Sequence, residues 1–398
     1  MFSIFPLKGD ISDIDGFYMD GVSAGLKPNG ELDLGFIYSD TLCDVEAIFT
    51  QNRFQAAPIK HYQQYPKEFQ TNFVLINSKN ANAMTGKSGI DDINEIFSRL
   101  KEDQNSISLI NPIASSTGVI GVRIPKDKII NGAKSFNFNA TNGKNLSKAI
   151  MTTDSYPKSC FYEVKLEDGS SFKIGAIAKG AGMINPNMAT MLCFICTDAN
   201  IPKQDMKEAL VQNVHTTFNA ISVDGDTSTN DTVLLLANKK SKSYDKEAFK
   251  EALRLVMDDM ATMIVSDGEG ATKSCGFEVV GAVNDNEAEV IAKALSNSLL
   301  MKTALFGEDP NWGRIASTIG SSGANCSEDS LTITIGDVLV YDKGKVYFDA
   351  DTEAKAAKVL QKKCFKIVCD IGLGDGSFTA YGCDLGYEYV KINADYRT

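Results

Sequence analysis

Short apolar runs of strand length alternate along the sequence with longer segments of helical periodicity, and this alternation restricts the chain to folds that mix both elements. The strand-like runs cover residues 73–77, 172–178, 190–196, 232–237, 277–283, 331–336, 365–372 and 387–392. We therefore predict a mixed α/β (α+β) fold, a layered sandwich in which sheets are covered by helices. No Pro-rich linker divides the chain, so the loop ahead of Thr190 is the best candidate for a boundary.

Two segments have the clearest helical pattern. The apolar side chains that residues 245–264 place on one helix face are Phe249, Leu253, Val256, Met260 and Met263. Asp245 precedes this segment and can cap its first turn. The second segment covers residues 284–305, where Asn284 is followed three residues later by Glu287 in a pattern close to a capping box. Both segments are therefore predicted to be helices.

The charge of the chain disfavours several classes of partner. A formal net charge of -11 and a pI of about 4.9 argue against nucleic acid and anionic membranes. No segment approaches the ~18 apolar residues of a membrane span. The first residues, interrupted by Pro6, Lys8 and Asp10, do not resemble a secretory signal. We therefore expect a cytoplasmic, globular protein without a nucleic-acid or membrane partner.

Metal and redox sites are poorly supported by the sequence. The nine cysteines are spread along the chain, so reduced thiols are expected. Cys193 and Cys196 form a C-x-x-C pair, but residues three apart on a strand face opposite sides, and no nearby His completes a zinc site. The acidic loop SVDGDTSTNDT (222–232) lacks the glutamate of an EF-hand. We therefore assign no metal and predict a hydrogen-bonded loop near the functional site.

The loop KGAGMINPNMATML (179–192) contains the strongest candidate nucleophile, Thr190. A threonine hydroxyl is a weak nucleophile unless a base lies beside it, and a threonine at a new chain start has its own α-amine as that base. The reference pKa of this amine is ~7.7–8.0. The scarcity of histidine, with only His61 and His215, is then no obstacle. Alternatively, Thr190 simply begins a strand, because threonine is common in strands.

The same loop suggests how the new chain start would arise. Thr190 Oγ would attack the carbonyl carbon of Ala189 in an N-to-O acyl shift, and hydrolysis of the ester would follow. The small side chain of Ala189 leaves that carbonyl accessible. Gly180 and Gly182 permit positive φ, and Pro186 restricts the residue before it, so the loop could be held in a strained, attack-ready shape.

The stretch KGAGMINPNMATMLCFICTDA (179–199) resembles the signature of the ornithine acetyltransferase family, the glutamate N-acetyltransferases of arginine biosynthesis. Other motifs of that family occur in the same order along nearly the whole chain, and together they are highly specific. They are AIFTQN (47–52), NSKNANAMTG (77–86), SSTGVIG (115–121), IMTTDSYPK (150–158), SVDGDTSTNDT (222–232), DGEGATK (267–273), GEDPNWGRI (307–315) and INADYRT (392–398). Lys79 and Met84 depart from the Gly and Cys of the family pattern, but no assigned catalytic group is replaced.

The resemblance implies a role for each site residue. Thr190 is implied as the nucleophile, released by self-cleavage between Ala189 and Thr190, and Thr117 and Gly118 as the stabilisers of the oxyanion. The substrate-binding residues that it implies are Thr153, Lys179, Thr190, Glu269, Asn393 and Thr398. A hydroxyl beside a flexible glycine suits donors aimed at a developing oxyanion. Without the resemblance, these residues would be an ordinary turn and surface charges.

The resemblance also implies the reaction and the assembly. N-acetylornithine would acetylate Thr190 and glutamate would take the acetyl group, in a ping-pong cycle without a consumed cofactor. Acetyl-CoA is possible as a second donor. The fragments 1–189 and 190–398 would stay intertwined and pair as α2β2. Two alternatives remain open: an N-terminal-threonine amidohydrolase or aminopeptidase, and a silent binding protein that never cleaves.

Overall fold

The computed structural model describes residues 2–103, 107–185 and 191–395. Over these ranges the strands form a nine-stranded and a seven-stranded sheet. The strands are β1 (Phe2–Pro6), β2 (Phe17–Val22), β3 (Leu34–Phe49), β4 (Gln70–Asn77), β5 (Ile113–Ser116), β6 (Lys158–Leu166), β7 (Ser171–Lys179), β8 (Leu192–Thr197), β9 (Ile221–Ser222), β10 (Thr232–Ala237), β11 (Ser274–Ala282), β12 (Thr332–Ile335), β13 (Val338–Asp342), β14 (Lys345–Val346), β15 (Cys364–Asp370) and β16 (Gly376–Cys383).

The two sheets use separate sets of strands. The nine-stranded sheet has the order β1-β6-β7-β8-β10-β3-β4-β5, with β2 paired to β3, and the seven-stranded sheet has the order β14-β13-β12-β15-β11-β16-β9. The helices are α1 (Ala57–Tyr62), α2 (Gly86–Asp103), α3 (Lys126–Ala133), α4 (Gly143–Ala149), α5 (Lys203–Thr216), α6 (Lys246–Ser266), α7 (Asp285–Asn297), α8 (Leu299–Phe306), α9 (Trp312–Ser321), α10 (Ala350–Leu360) and α11 (Tyr387–Asp395). The predicted mixed α/β class is confirmed.

The centre of the nine-stranded sheet is covered on both faces. β8 and β10 pair in parallel, and every residue of both strands is buried. Cys193 and Ile195 pack in the cluster that contains the apolar side chains of α5 and α6, whereas Phe194 and Cys196 pack in a second cluster with residues of β2 and α4. Burial on both faces explains why these strands are continuous apolar runs in the sequence.

The C-x-x-C pair lies across this sheet as predicted. Cys193 and Cys196 belong to clusters on opposite faces, and burial raises the pKa of both thiols well above the usual range. A buried thiol that stays protonated has no reactive thiolate, so it is inert toward disulfide exchange. No redox role is therefore assigned to this pair.

The predicted helix over 245–264 is confirmed as α6. The Asp245 carboxylate caps it by accepting a hydrogen bond from the Ala248 amide at 2.8 Å. Its apolar face, which includes Phe249 and Met260, is buried against the nine-stranded sheet. This helix ends at Ser266, directly before the DGEG segment, so its packing fixes where that segment begins.

The predicted helix over 284–305 is two helices, α7 and α8. Asn284 caps α7 as expected, because its side chain accepts from the Glu287 amide at 3.0 Å. The single-helix prediction was wrong at Ser298, which has extended backbone angles and caps α8 through the Met301 amide. Serine competes with the helical backbone through its own hydroxyl, and this favours a break at such a position.

The predicted strand over 387–392 was also wrong, since these residues belong to helix α11. Asn393 Nδ2 donates to the Tyr389 carbonyl at 3.0 Å, and both side chains also reach carboxylates on other segments. No side chain of α11 is buried. The conformation of this segment is therefore decided by polar contacts between residues one helical turn apart. Apolar residues that alternate along the segment, as in a half-buried strand, do not decide it. The other predicted strand runs all overlap observed strands.

Across the described parts of the chain, no helix combines the length and the apolar character needed to cross a bilayer.

The seven-stranded sheet has its own hydrophobic core, in which Phe277 and Val279 of β11 pack with Ile291 and Leu295 of α7. Its strand β16 also contacts α6, so the helix layer that covers the first sheet touches the second. The architecture is thus layered, as predicted.

Candidate active site

A cavity of about 200 Å³ lies where several loops and strand ends meet. Its walls come from the end of β5, the end of β7, the loops that follow α4 and α6, the 222–232 loop and helix α11. The described residues that the sequence predicts for the site all line it, namely Thr117, Gly118, Thr153, Lys179, Glu269 and Asn393. The structure therefore brings together residues that are far apart in the sequence.

The predicted cleavage site, Ala189 and Thr190, and the predicted substrate-binding residue Thr398 lie outside the described residues. The chain is described again from Met191, whose amide donates to Asp231 Oδ1 at 3.1 Å. In the antiparallel pairing of β7 and β8, Lys179 is the register partner of Leu192. The residues that directly follow the predicted nucleophile are therefore fixed beside the end of β7, where the cavity begins.

Thr117 and Gly118 lie in a tightly braced turn after β5. The Thr117 amide donates to the Asn77 carbonyl at 3.0 Å and the Val119 amide to the Lys79 carbonyl at 3.1 Å. Gly118 has φ +129°, and a Cβ there would lie 2.2 Å from the Lys79 carbonyl carbon. Only glycine fits this backbone contact, and it lets Thr117 and Gly118 face the cavity.

Two asparagines hold this turn against the neighbouring loops. Asn77 Oδ1 accepts from the Ser116 hydroxyl at 2.6 Å. Asn230 Nδ2 donates to the Ala81 carbonyl at 2.6 Å and to the Ser116 carbonyl at 2.8 Å. The 222–232 loop is therefore the hydrogen-bonded loop near the site that the sequence predicts.

Lys179 and Glu269 place opposite charges in one small space. Both residues are buried, with exposed fractions of 3% for Lys179 and 7% for Glu269. Burial lowers the pKa of Lys179 below its usual range, while Asp154 and then Glu269 act to raise it. Glu269 Oε2 accepts from Asn393 Nδ2 at 2.7 Å, which joins helix α11 to the cavity wall. Side chains of opposite charge on the wall of one cavity suit a ligand that carries both charges, such as an amino acid.

Asp224 and Tyr389 are site residues for which the sequence offered no role. Asp224 accepts from the Met183 amide at 2.6 Å and the Ile184 amide at 2.9 Å, and so holds the loop that leads toward the predicted cleavage site. The Tyr389 hydroxyl donates to the same carboxylate at 3.3 Å. Asp224 belongs to the acidic loop that the sequence placed near the site. Tyr389 was missed because residues 387–392 were predicted to form a strand.

Asp231 was likewise within a quoted motif without an assigned role. It is fully buried, and burial raises its pKa well above the usual range for a carboxyl group. Its backbone carbonyl accepts from the Thr50 amide at 3.0 Å, while its side chain holds Met191. Asp231 thus ties the start of the second half of the chain to the AIFTQN segment, which begins in β3 and continues past its end.

Within 2–103, 107–185 and 191–395, no cluster of three or more His, Cys, Asp and Glu side chains has the arrangement of a metal site. Two sets of polar groups line the cavity. The first is the hydrogen-bonded turn of Thr117 and Gly118, whose hydroxyl and amide groups suit an oxyanion. The second is the buried pair of Lys179 and Glu269, whose charges suit an amino acid.

The comparisons with known proteins show which family the chain resembles along its length. The ArgJ family model matches residues 18–398. The chain is 58% identical over 398 residues to the arginine biosynthesis bifunctional protein ArgJ of Wolinella succinogenes, covering 100% of both chains. It is 40% identical over 407 residues to the glutamate N-acetyltransferase of Methanothermobacter thermautotrophicus, covering 98% of each.

A solved structure shares the fold over part of the chain. The crystal structure of the arginine biosynthesis bifunctional protein ArgJ from Bacillus halodurans matches with a TM-score of 0.50 and 42% identity. The match covers 100% of that chain and 52% of this one. The solved relative therefore corresponds to about half of the chain described above.

Proposed function

The chain belongs to the ArgJ family, and we propose that it transfers an acetyl group from N-acetylornithine to glutamate through an acetylated Thr190. The observation that carries this proposal is the convergence of Thr117, Gly118, Lys179 and Glu269 on one cavity beside the residues that follow Thr190. The glutamate N-acetyltransferase among the relatives supports the same acceptor.

The nucleophile is prepared by self-cleavage in this proposal. Thr190 Oγ bonds to the Ala189 carbonyl carbon, the C–N bond to Thr190 breaks, and the hydroxyl proton passes to the new amine. Water then hydrolyses the ester and leaves fragments 1–189 and 190–398. The solved relative supports this step, because its whole chain spans only about half of this one, as one fragment of a cut chain would.

The first half-reaction acetylates the enzyme. The free α-amine of Thr190 accepts the hydroxyl proton as Oγ attacks the acetyl carbonyl carbon of N-acetylornithine. The Thr117 hydroxyl and the Gly118 amide donate to the resulting oxyanion. The amide C–N bond then breaks, the proton returns to the departing amine, and ornithine leaves.

The second half-reaction transfers the acetyl group to glutamate. The neutral amine of glutamate attacks the ester carbon, and the α-amine of Thr190 accepts the proton that this amine loses. The bond to Thr190 Oγ then breaks, the same proton passes to Oγ, and N-acetylglutamate leaves with the Thr190 hydroxyl restored. Both substrates carry an α-carboxylate, which Lys179 binds, whereas only ornithine carries a side-chain ammonium, which Glu269 binds. Thr153, Asn393 and Thr398 complete the substrate-binding set.

Two further parts of the proposal concern the donor and the assembly. Acetyl-CoA serves as an alternative donor to glutamate, and the bifunctional relatives support this. No cofactor is consumed when the acetyl group comes from N-acetylornithine. The two fragments remain intertwined because β7 and β8, which lie on either side of the cut, pair over their length. Two copies of each fragment form an α2β2 assembly.

The experiment that tests this function measures both products. The purified protein is incubated with N-acetylornithine, with and without glutamate, and N-acetylglutamate, ornithine and acetate are quantified. We expect N-acetylglutamate and ornithine in equal amounts only when glutamate is present. Release of acetate at the same rate with or without glutamate would instead identify an amidohydrolase.

We predict that Glu269→Gln impairs N-acetylornithine far more than glutamate. Glutamine keeps the shape and an acceptor for Asn393 but loses the charge that pairs with the ornithine ammonium. A hydrogen bond to a charged group is worth about 1.5–3 kcal/mol, so kcat/KM for N-acetylornithine should fall about 10–100-fold. The value for glutamate should change by less than about threefold. Steady-state kinetics with each substrate varied in turn measures both effects.

Asp226→Asn is the matched control, since it removes one negative charge from the same cavity wall. We expect it to leave the ratio of the two kcat/KM values near that of the unmodified enzyme. Equal losses for both substrates in Glu269→Gln would contradict the assigned role and indicate a structural carboxylate.

A further inference from the structure

A buried ion triad lies behind the cavity wall. Lys158 Nζ donates to Asp154 Oδ1 at 2.7 Å and to Asp267 Oδ2 at 2.6 Å. The exposed fractions of these side chains are 0% for Lys158, 0% for Asp154 and 3% for Asp267. Nothing in the proposed chemistry uses these three groups directly.

Each carboxylate of the triad also holds backbone next to a substrate-binding residue. Asp154 Oδ2 accepts from the Thr152 amide at 3.0 Å, directly before Thr153. Asp154 Oδ1 also accepts from the Gly180 amide at 2.7 Å, directly after Lys179.

The other carboxylate completes the link. Asp267 Oδ2 accepts from the Ser155 amide at 3.0 Å, and Asp267 precedes Glu269 by two residues at the end of α6. The segments that contain Thr153, Lys179 and Glu269 are therefore joined through the two carboxylates that share the Lys158 ammonium.

We propose that the Asp154–Lys158–Asp267 triad is a positioning unit that holds Thr153, Lys179 and Glu269 in one fixed arrangement around the amino acid. The inference rests on the proposed function, in which these three residues bind substrate. Its geometric basis is that removing either carboxylate releases a backbone contact between these segments, whereas removing Lys158 leaves two buried carboxylates without their shared cation. A buried ion triad is not needed for stability alone, because apolar side chains of similar volume are often equally stable.

The triad also acts on the charge of Lys179. Burial lowers the pKa of Lys179, and the charged groups that act on it are Asp154, Lys158, Glu269 and Asp231. Asp154 contributes the largest effect that raises this pKa. A lysine is charged mainly below its pKa. Without Asp154, the Lys179 ammonium should therefore lose its proton at a lower pH. A carboxylate substrate would then lose its partner at that lower pH.

The test compares Asp154→Asn with the unmodified enzyme across pH. Asparagine keeps the size of the side chain but loses its charge and one acceptor. We expect KM to rise for both amino acids, with kcat/KM falling about 100-fold, since small misplacements of binding groups have effects of that size. The alkaline limb of the KM profile should move to lower pH, and Asp154→Glu should restore part of the loss.

Asp198→Asn is the matched control at the opposite end of β7, where the Asp198 carboxylate accepts from the Lys173 amide at 2.7 Å. It should leave the pH profile unchanged. An Asp154→Asn enzyme with the KM values and pH profile of the unmodified enzyme would overturn the proposal. If that variant does not fold, Asp267→Asn replaces it, and unchanged KM values would overturn the proposal in the same way.

A measurement without turnover separates this inference from the proposed function. The rate at which formaldehyde and cyanoborohydride methylate Lys179 is followed across pH by peptide mass spectrometry. We expect half-maximal labelling at lower pH in Asp154→Asn than in the unmodified enzyme, and an unchanged midpoint would overturn the triad's effect on Lys179. Absence of acetyl transfer by the unmodified enzyme would instead refute the proposed function alone.

Discussion

Replacing Thr190 by alanine is expected to abolish both cleavage and acetyl transfer. Alanine lacks the oxygen that attacks Ala189 and the oxygen that carries the acetyl group, so neither covalent step has a nucleophile. Loss of a catalytic nucleophile lowers kcat on the order of 10⁴-fold or more. Denaturing gel electrophoresis should show a single uncut chain of 398 residues, and product assays should show only background turnover.

Thr190→Ser is the control for this prediction. Serine retains the hydroxyl oxygen and loses only the methyl group, so cleavage and part of the activity should persist. An alanine variant that is still cut at the same bond, or that transfers acetyl at the unmodified rate, would show that Thr190 is a strand residue without a chemical role.

Gly118→Ala is expected to lower kcat about 10²–10³-fold, the range observed when one oxyanion donor is lost. The added Cβ would lie 2.2 Å from the Lys79 carbonyl carbon and 2.6 Å from the Asn80 amide nitrogen. These are backbone atoms in a braced turn, so the 117–118 segment must move instead. Because the donors act in the transition state, KM should change much less than kcat.

Gly121→Ala separates the collision from the general cost of positive φ. Gly121 has φ +84°, and a Cβ there meets nothing within 4 Å. Both variants therefore place a side chain in a positive-φ conformation that costs about 1–3 kcal/mol, but only Gly118→Ala displaces the turn. Equal kcat losses in the two variants, measured beside their thermal unfolding midpoints, would contradict the oxyanion role.

The central strands could be predicted from the sequence because both of their faces are buried. Thr232–Ala237 is apolar throughout, and its observed bounds match the prediction. β3 was missed although it is the longest strand, since its middle residues Ser39, Asp40 and Thr41 are polar and resemble a turn. Its pairing with β4 shifts register between Tyr38 and Cys43. Such an irregularity depends on the neighbouring strand and leaves no local pattern.

The site was predictable to the extent that its motifs are local. The family resemblance of short segments implied roles for Thr117, Gly118 and Lys179, and all three line one cavity. The link from Lys158 to Asp267 joins residues 109 apart in sequence, so it follows only from the fold. Tyr389 was missed for a related reason. The side chains of its helix contact Asp224 and Glu269, which are distant in sequence.

The intact mass of the denatured protein, taken before and after brief incubation with N-acetylornithine, shows whether the chain is cut and whether Thr190 carries an acetyl group. We expect two fragments, 1–189 and 190–398, of which only the second gains one acetyl group and loses it when glutamate is added. A single chain that carries no acetyl group after incubation would contradict both the cut at Ala189 and Thr190 and the acetyl-enzyme on which the proposed reaction depends.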